Sequence, residues 1–192
     1  MVDWWFVRHG ESVANQGGWL SGHRDVPLSP RGVAQAHEAR GALAAVPLSL
    51  VLTSDLDRAL HTTRLVVEGR DLPVRTLPAL RERRMGVLEG QDKTHLRRTG
   101  ELQQLFAWRT APEGAESFAE LARRVLPALA AIDDAGPVLV VAHGGVIRMV
   151  LGLLDGLPTE QLVRWDIPNG TPLHRAVPPG RFQQLIDHGD DR

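Results

Sequence analysis

A chain of 192 residues, 43% hydrophobic and 23% charged, has the balance of a folded globular protein; disorder and fibrous architectures are set aside, and one domain over residues 1–192 is expected. Its 22 Lys and Arg against 23 Asp and Glu leave a net charge of -1, so no global basic field invites nucleic acid and any anion site must be local. Cysteine is absent, which removes disulfides, thiolate metal sites and a cysteine nucleophile together.

Trp4-Trp5-Phe6-Val7 is short, aromatic and β-branched, the composition of a buried strand, and Gly10 ends it just after Arg8-His9. Asn15 to Pro27 reads as a loop. Ser29-Pro30 supplies an N-cap and a first-turn proline for a helix that stops before Pro47. Leu48 to Thr53 is an uninterrupted apolar run, the pattern of a strand covered on both faces. A helix over Asp57 to Val67 and a strand over Val74 to Leu77 follow. This alternation predicts an α/β fold: a single-domain three-layer α/β/α sandwich with a mostly parallel central sheet.

Arg81 to Arg109 has weak periodicity and carries seven Arg or Lys against four acidic residues; it reads as a partly helical excursion whose cations are more simply a solvated face than a grip on an acidic substrate. Ser117-Phe-Ala-Glu120 is a capping box before a helix with Phe118, Leu121, Val125, Leu129 and Ile132 on one face. Val138 to Ala142 is the clearest buried strand, followed by His143-Gly144-Gly145 and a helix over Val146 to Leu154. Leu173 to Val177 and Phe182 to Ile186, separated by Pro178-Pro179-Gly180, read as a terminal hairpin. With no signal-like start and no long apolar stretch, a cytoplasmic protein without a membrane partner is expected.

Two buried strands thus end in His-Gly, at His9 and His143, and a third ends near Ser54 with Arg58 one helical turn on. In a parallel sheet these ends share one edge, where ligands of open α/β folds bind. Two guanidiniums beside an imidazole suit phosphoryl transfer, because arginine stays charged and its planar fork matches phosphate oxygens. Gly10 and Gly144 remove Cβ atoms that would block backbone N–H groups from an anion, and a helix starting after Gly144-Gly145 would add its positive end. No phosphate-binding Gly-x-x-x-x-Gly-Lys-Ser/Thr segment and no His-Glu-x-x-His pair is present, so neither a nucleotide loop nor a metal site is expected; His23, His37, His61, His95, His174 and His188 read as surface or packing residues.

Arg8-His9-Gly10-Glu11-Ser12 together with His143-Gly144 resembles the histidine phosphatase superfamily, which includes the cofactor-dependent phosphoglycerate mutases. Further matches run through most of the chain: Asn15, Ser21-Gly22, Asp25-Val-Pro-Leu-Ser-Pro-Arg-Gly32, Gln35-Ala36, Thr53-Ser54-Asp55-Leu56, Arg58-Ala59, Leu80-Arg81-Glu82, Gly86-Val-Leu-Glu-Gly90 and Asn169. The resemblance implies that His9 is the nucleophile, that Arg8, Arg58 and His143 hold the transferring phosphoryl group, and that Glu82 is the proton donor, without cofactor or metal. It implies substrate contacts from Asn15, Ser21, Gly22, Gly144 and Asn169, while Glu11 and Ser12 hold the loop. The substrate expected is a phosphorylated small molecule, and a homodimer is compatible with the sequence.

The interval between Glu82 and His143 is short for a mutase of this family, which favours a phosphatase over a phosphoglycerate mutase. A family segment of the form Pro-x-Gly-Glu-Ser stands here as Pro112-Glu-Gly-Ala-Glu116-Ser117 with an extra residue, so Glu116 and Ser117 are not placed in the site. A noncatalytic phosphoprotein-binding module is the alternative from another class; five intact site residues speak against it.

Overall fold

Trp4 and Phe6 point to one side of the first strand and Val7 to the other, and this alternation sets the layers. The computed structural model describes residues 1–132 and 136–188. In it the opening run forms β1 (Val2–Arg8). A capping box between Ser12 and Asn15 starts a short α1 (Val13–Gln16) inside the stretch expected to be loop. Ser29 caps α2 (Pro30–Leu43) by accepting from the Gly32 N–H. β2 (Leu50–Thr53), α3 (Asp57–Val66) and β3 (Val74–Thr76) follow as the alternation predicts.

The cationic excursion contains α4 (Lys93–Thr99), capped by Asp92 at its start and closed by Gly100 at φ 82°, a left-handed position that suits glycine. α5 (Phe118–Ala130) opens on the Ser117–Glu120 capping box. β4 (Val138–Ala142) leads into α6 (Gly144–Leu154), which starts at Gly144, two residues ahead of the expected Val146. α7 (Thr159–Leu162), β5 (Pro172–Val177) and α8 (Arg181–Asp187) complete the described elements.

The expected terminal hairpin is half right, since Leu173 to Val177 lies in β5 but Phe182 to Ile186 is helix α8. Phe182 and Leu185 stand three apart, a helical spacing that lets both reach the core; the Phe182 ring meets Trp4 edge-on at 4.9 Å. An alternating strand would have turned one of them away.

The sheet runs β3-β2-β4-β1-β5, with the first four strands parallel and β5 antiparallel to β1. Leu50, Leu52, Val138 and Val140 face a core closed by α5, α6 and α8. Val51, Leu139 and Val141 face α2 and α3 on the other side. This is the three-layer α/β/α sandwich expected from the sequence. Leu20, Leu88, Leu96, Leu102 and Leu105 form a small separate cluster, so the excursion has its own apolar anchor.

Register aligns the strand ends that matter. Arg8 pairs with Ala142 and Thr53 with Val141, so His9, Ser54 and His143 leave the sheet side by side. The His9 N–H donates to the Ala142 carbonyl at 2.9 Å and the Ser54 N–H to the Val141 carbonyl at 3.1 Å, extending the ladder one residue past each strand.

Candidate active site

His9 is 4% exposed at the end of β1. Its Nδ1 lies 2.7 Å from the Gly10 carbonyl, which can only accept, so the ring proton sits on Nδ1 and Nε2 keeps its lone pair. The Nε–H of Arg58 donates to that Nε2 at 3.3 Å. The Asn169 side-chain amide donates to the His9 carbonyl at 2.8 Å and fixes the backbone behind it. Burial, then the charges of Arg58 and Arg8, hold the His9 pKa well below its ordinary value, so the imidazole is neutral.

His143 is fully buried with its ring centroid 5.0 Å from that of His9. The Ser54 hydroxyl meets its Nε2 at 2.9 Å, while its Nδ1 has no protein partner. Burial is again the main cause of a pKa held well below the usual range, with Arg58 next. Arg58 comes from the first turn of α3 and is anchored by donating to the carbonyls of Arg24 at 2.9 Å and Gly22 at 2.8 Å. Arg8 donates to the Ile167 carbonyl at 2.6 Å, leaving its buried Nε unpartnered. The Arg8 Nε and the His143 Nδ1 are therefore buried nitrogens left for something other than protein.

Gly10 serves a different end from the one read from the sequence. Its N–H donates to the Thr62 hydroxyl at 3.0 Å rather than lying open to an anion, and a Cβ there would come 2.1 Å from the Gly32 carbonyl oxygen. The glycine lets the start of α2 press against the His9 loop. Glu11 and Ser12 do hold that loop: Glu11 accepts from the Ser29 hydroxyl at 2.7 Å, and Ser12 caps α1.

Glu82 reaches the same space from the loop after the 3-10 turn Pro78–Leu80. Its two carboxylate oxygens accept the N–H of Gly145 at 3.1 Å and the N–H of Arg83 at 2.9 Å. A Cβ at Gly145 would fall 2.2 Å from a Glu82 oxygen, so the glycine leaves room for the carboxylate to reach this N–H. Behind it, His23 donates from Nε2 to the Glu82 carbonyl at 2.6 Å. Arg124 donates to the carbonyls of Ala79, Arg81 and Glu82 and is itself gripped by Glu116 through two bonds of 2.9 and 2.7 Å. Glu116 thus works behind the site rather than in it, and His23 is more than a surface residue.

Arg8, His9, Arg58, Glu82 and Gly145 line a cavity of about 300 Å³, while His143 is not among its lining residues and stands against the His9 ring. Asn15, Ser21, Gly22 and Gly144 line it too, whereas Asn169 faces the His9 backbone instead. Sequence reasoning missed most of the outer wall: Arg83, Lys93, Arg97, Arg148, Arg164 and the carboxylate Asp166, with Trp19, Met85 and Phe106 as apolar surface. The excursion is therefore more than the solvated face it was read as, because Lys93 and Arg97 turn inward from α4. Their spacing of four residues was a usable signal, and so was Arg148, four residues along α6 from Gly144. Arg83 lies over the Phe118 ring at 4.0 Å, and burial lowers its pKa to about 10, so it stays charged at neutral pH. Among the described residues, no group of three or more His, Asp or Glu is placed to hold a metal ion.

A neutral imidazole whose Nε2 lone pair accepts only a 3.3 Å contact from Arg58, two anchored guanidiniums and a carboxyl in the same cavity form a site for transferring an anionic group. A family model described as the histidine phosphatase superfamily, branch 1, matches residues 4–183. The adenosylcobalamin/alpha-ribazole phosphatase of Salmonella typhi is 37% identical over 175 residues, covering 86% of each chain. A 2,3-bisphosphoglycerate-dependent phosphoglycerate mutase of Cytophaga hutchinsonii is 33% identical over 177 residues, 86% of this chain and 83% of the relative. Among solved structures, the alpha-ribazole phosphatase from Shigella flexneri superimposes with a TM-score of 0.78 at 32% identity, over 90% of this chain and 89% of that one. A mycobacterial glucosyl-3-phosphoglycerate phosphatase in complex with VO3 gives a TM-score of 0.81 at 28% identity, over 91% and 90%.

Proposed function

Because the chain belongs to the histidine phosphatase superfamily, branch 1, we propose that it is a metal-independent phosphomonoester hydrolase that works through a phosphohistidine on His9. The observation that carries this reading is the His9 tautomer: Nδ1 is tied to the Gly10 carbonyl, so Nε2 carries the lone pair, which accepts only from the Arg58 Nε–H at 3.3 Å and is released to phosphorus when that guanidinium turns to the phosphate. Nε2 attacks phosphorus while the ester P–O bond breaks, and the leaving alkoxide takes the proton of Glu82 to depart as an alcohol. Water then attacks the phosphohistidine, Glu82 takes its proton, and the P–N bond breaks to release phosphate and restore His9. Arg8, Arg58 and the free nitrogen of His143 surround the charge that builds on the phosphoryl oxygens; a donor of this kind contributes about a hundredfold to a thousandfold in rate elsewhere.

Asn15, Ser21, Gly22 and Gly144 contact the substrate in this reading, and Asn169 positions His9. The substrate is a phosphorylated small molecule and the enzyme cytoplasmic; among the described residues no helix is long and apolar enough to cross a membrane. Mixing enzyme with 4-nitrophenyl phosphate and quenching in alkali should trap a phosphoenzyme in the parent and none in His9→Ala. Full turnover by His9→Ala would sink the proposal. The similarity to phosphoglycerate mutases sets the second reading, and products separate the two: 3-phosphoglycerate supplied with 2,3-bisphosphoglycerate should yield free phosphate rather than 2-phosphoglycerate.

A further inference from the structure

The two buried histidines are held by different groups, and those groups decide where their protons sit. The His9 Nδ1 meets the Gly10 carbonyl, whereas the His143 Nε2 meets the Ser54 hydroxyl at 2.9 Å and the His143 Nδ1 has no protein partner. A carbonyl can only accept, but a hydroxyl donates or accepts, so the tautomer of His143 depends on what else Ser54 bonds.

Ser54 is fully buried just past β2, and its N–H donates to the Val141 carbonyl at 3.1 Å, which ties it to the strand that ends in His143. The Leu56 N–H donates to the Ser54 Oγ at 3.3 Å. Leu56 is the N-cap of α3, the helix that carries Arg58, so one hydroxyl joins the start of that helix to His143. The Leu56 bond takes a lone pair of Oγ and leaves its hydrogen free to turn, and the His143 Nε2 is the acceptor it meets. Were the ring proton on Nε2 instead, Oγ would accept twice and its own hydrogen would lie buried with no acceptor among the described residues. Burial, with the charge of Arg58 next, keeps His143 from carrying both protons.

Resting on the phosphohydrolase reading above, we propose that Ser54 is a positioning residue: its hydroxyl donates to the His143 Nε2, fixes the ring proton on Nδ1, and so supplies the N–H that His143 gives to an oxygen of the transferring phosphoryl group. One tautomer then serves opposite ends in the two rings. His9 keeps its lone pair on Nε2 for phosphorus, and His143 presents a hydrogen to an oxygen bound to that phosphorus. The other tautomer of His143 would set a lone pair against an anionic oxygen and repel it.

Long-range proton–nitrogen NMR of the full chain, isotopically labelled at histidine, reads each ring's tautomer, and His143→Asn identifies the His143 signals by their loss. The parent spectrum decides first, without relying on any Ser54 variant: His143 should be protonated at Nδ1 alone, both by itself and with orthovanadate added as a stand-in for the phosphoryl group. In Ser54→Ala the His143 proton should move wholly or partly to Nε2, while His9, fixed by Gly10, stays protonated at Nδ1. Ser54→Thr, which keeps the hydroxyl, should restore the Nδ1–H form. With 4-nitrophenyl phosphate, kcat of Ser54→Ala should fall by about tenfold or more, part of the roughly hundredfold to thousandfold that one directed donor supplies, with KM changing far less. A parent His143 protonated at Nε2 or at both nitrogens overturns the assignment to Ser54. So does a Ser54→Ala spectrum in which His143 is unchanged or both rings change together, and so does a smaller loss of kcat. Each of these leaves the hydrolase reading standing while the parent turns over. Absence of any turnover and of the phosphoenzyme in the parent removes the hydrolase reading, and the donor role with it.

Discussion

At the scale of the residue, the proposed chemistry depends on keeping one imidazole neutral inside a cluster of cations. Burial is the largest cause of the depressed His9 pKa, with Arg58 second and Arg8 third. The acid limb of kcat/KM reports the free enzyme's essential base, so it should lie below pH 6.5, the ordinary histidine value. Arg58→Gln removes the second cause, and a missing neighbouring cation favours protonation. Its acid limb should therefore move up towards neutral pH while the rate falls by about a hundredfold to a thousandfold. A pH–rate profile of both proteins checks this; a limb that stays in place would show that Arg58 does not act on His9. The four residues Arg8, His9, Arg58 and His143 were legible in the sequence because each sits at or just after a strand end that the apolar runs already mark. Gly10 was visible too, but its purpose was not, because a contact with Gly32 across the start of α2 exists only once the chain has folded.

At the scale of the element, Glu82 is the exposed point in the design, since it stands on no helix or strand. Three elements aim it: the start of α6 through Gly145, the loop before α2 through His23, and α5 through Arg124 held by Glu116. A methyl group at Gly145 would fall 2.2 Å from a Glu82 oxygen and must displace it. Gly145→Ala should then behave like Glu82→Gln. Activity on esters of alcohols should drop about tenfold to a hundredfold, while 4-nitrophenyl phosphate, whose leaving group needs little help from an acid, should lose far less. Steady-state kinetics with both substrate types decides it, and equal losses on the two would mean that the glycine supports the fold rather than the acid. The sequence shows the Ser117–Glu120 capping box that places α5, yet gives no sign that Arg124 reaches back to the Glu82 loop; that bond joins segments about forty residues apart through tertiary packing alone. Phe182 to Ile186 was misread for a related reason, because a short apolar run after Pro-Pro-Gly fits a hairpin until Trp4 is known to face it.

At the scale of the whole molecule, a net charge of -1 conceals an uneven distribution, with cations gathered in one cleft and most carboxylates elsewhere. Composition could not reveal this, because it counts charges without placing them. Gathering charge around two buried imidazoles also has a cost that appears in stability. His9 and His143 both have native pKa values pushed well below 6.5, while in the unfolded chain they titrate near it. Above that value both states are neutral and the native state keeps its full stability. As pH falls below 6.5 the unfolded chain binds protons that the native state refuses, so stability declines until the native histidines themselves titrate. With the rings 5.0 Å apart, protonating one opposes protonating the other, which keeps the pair neutral further into acid. The slope approaches about 1.4 kcal/mol per pH unit for each histidine, or about 3 kcal/mol for the two. Thermal melts in phosphate-free buffer at about pH 7.5, 6.5 and 5.5, chosen around that unfolded value, should show a nearly constant Tm across the upper interval and a clear fall across the lower one. His143→Asn removes one of the histidines whose pKa is depressed, His23 being a lesser third, and should lower that slope by about a third to a half. A Tm that is flat between 6.5 and 5.5, or a slope unchanged by His143→Asn, would mean that the neutral histidine pair is not what makes this fold sensitive to acid.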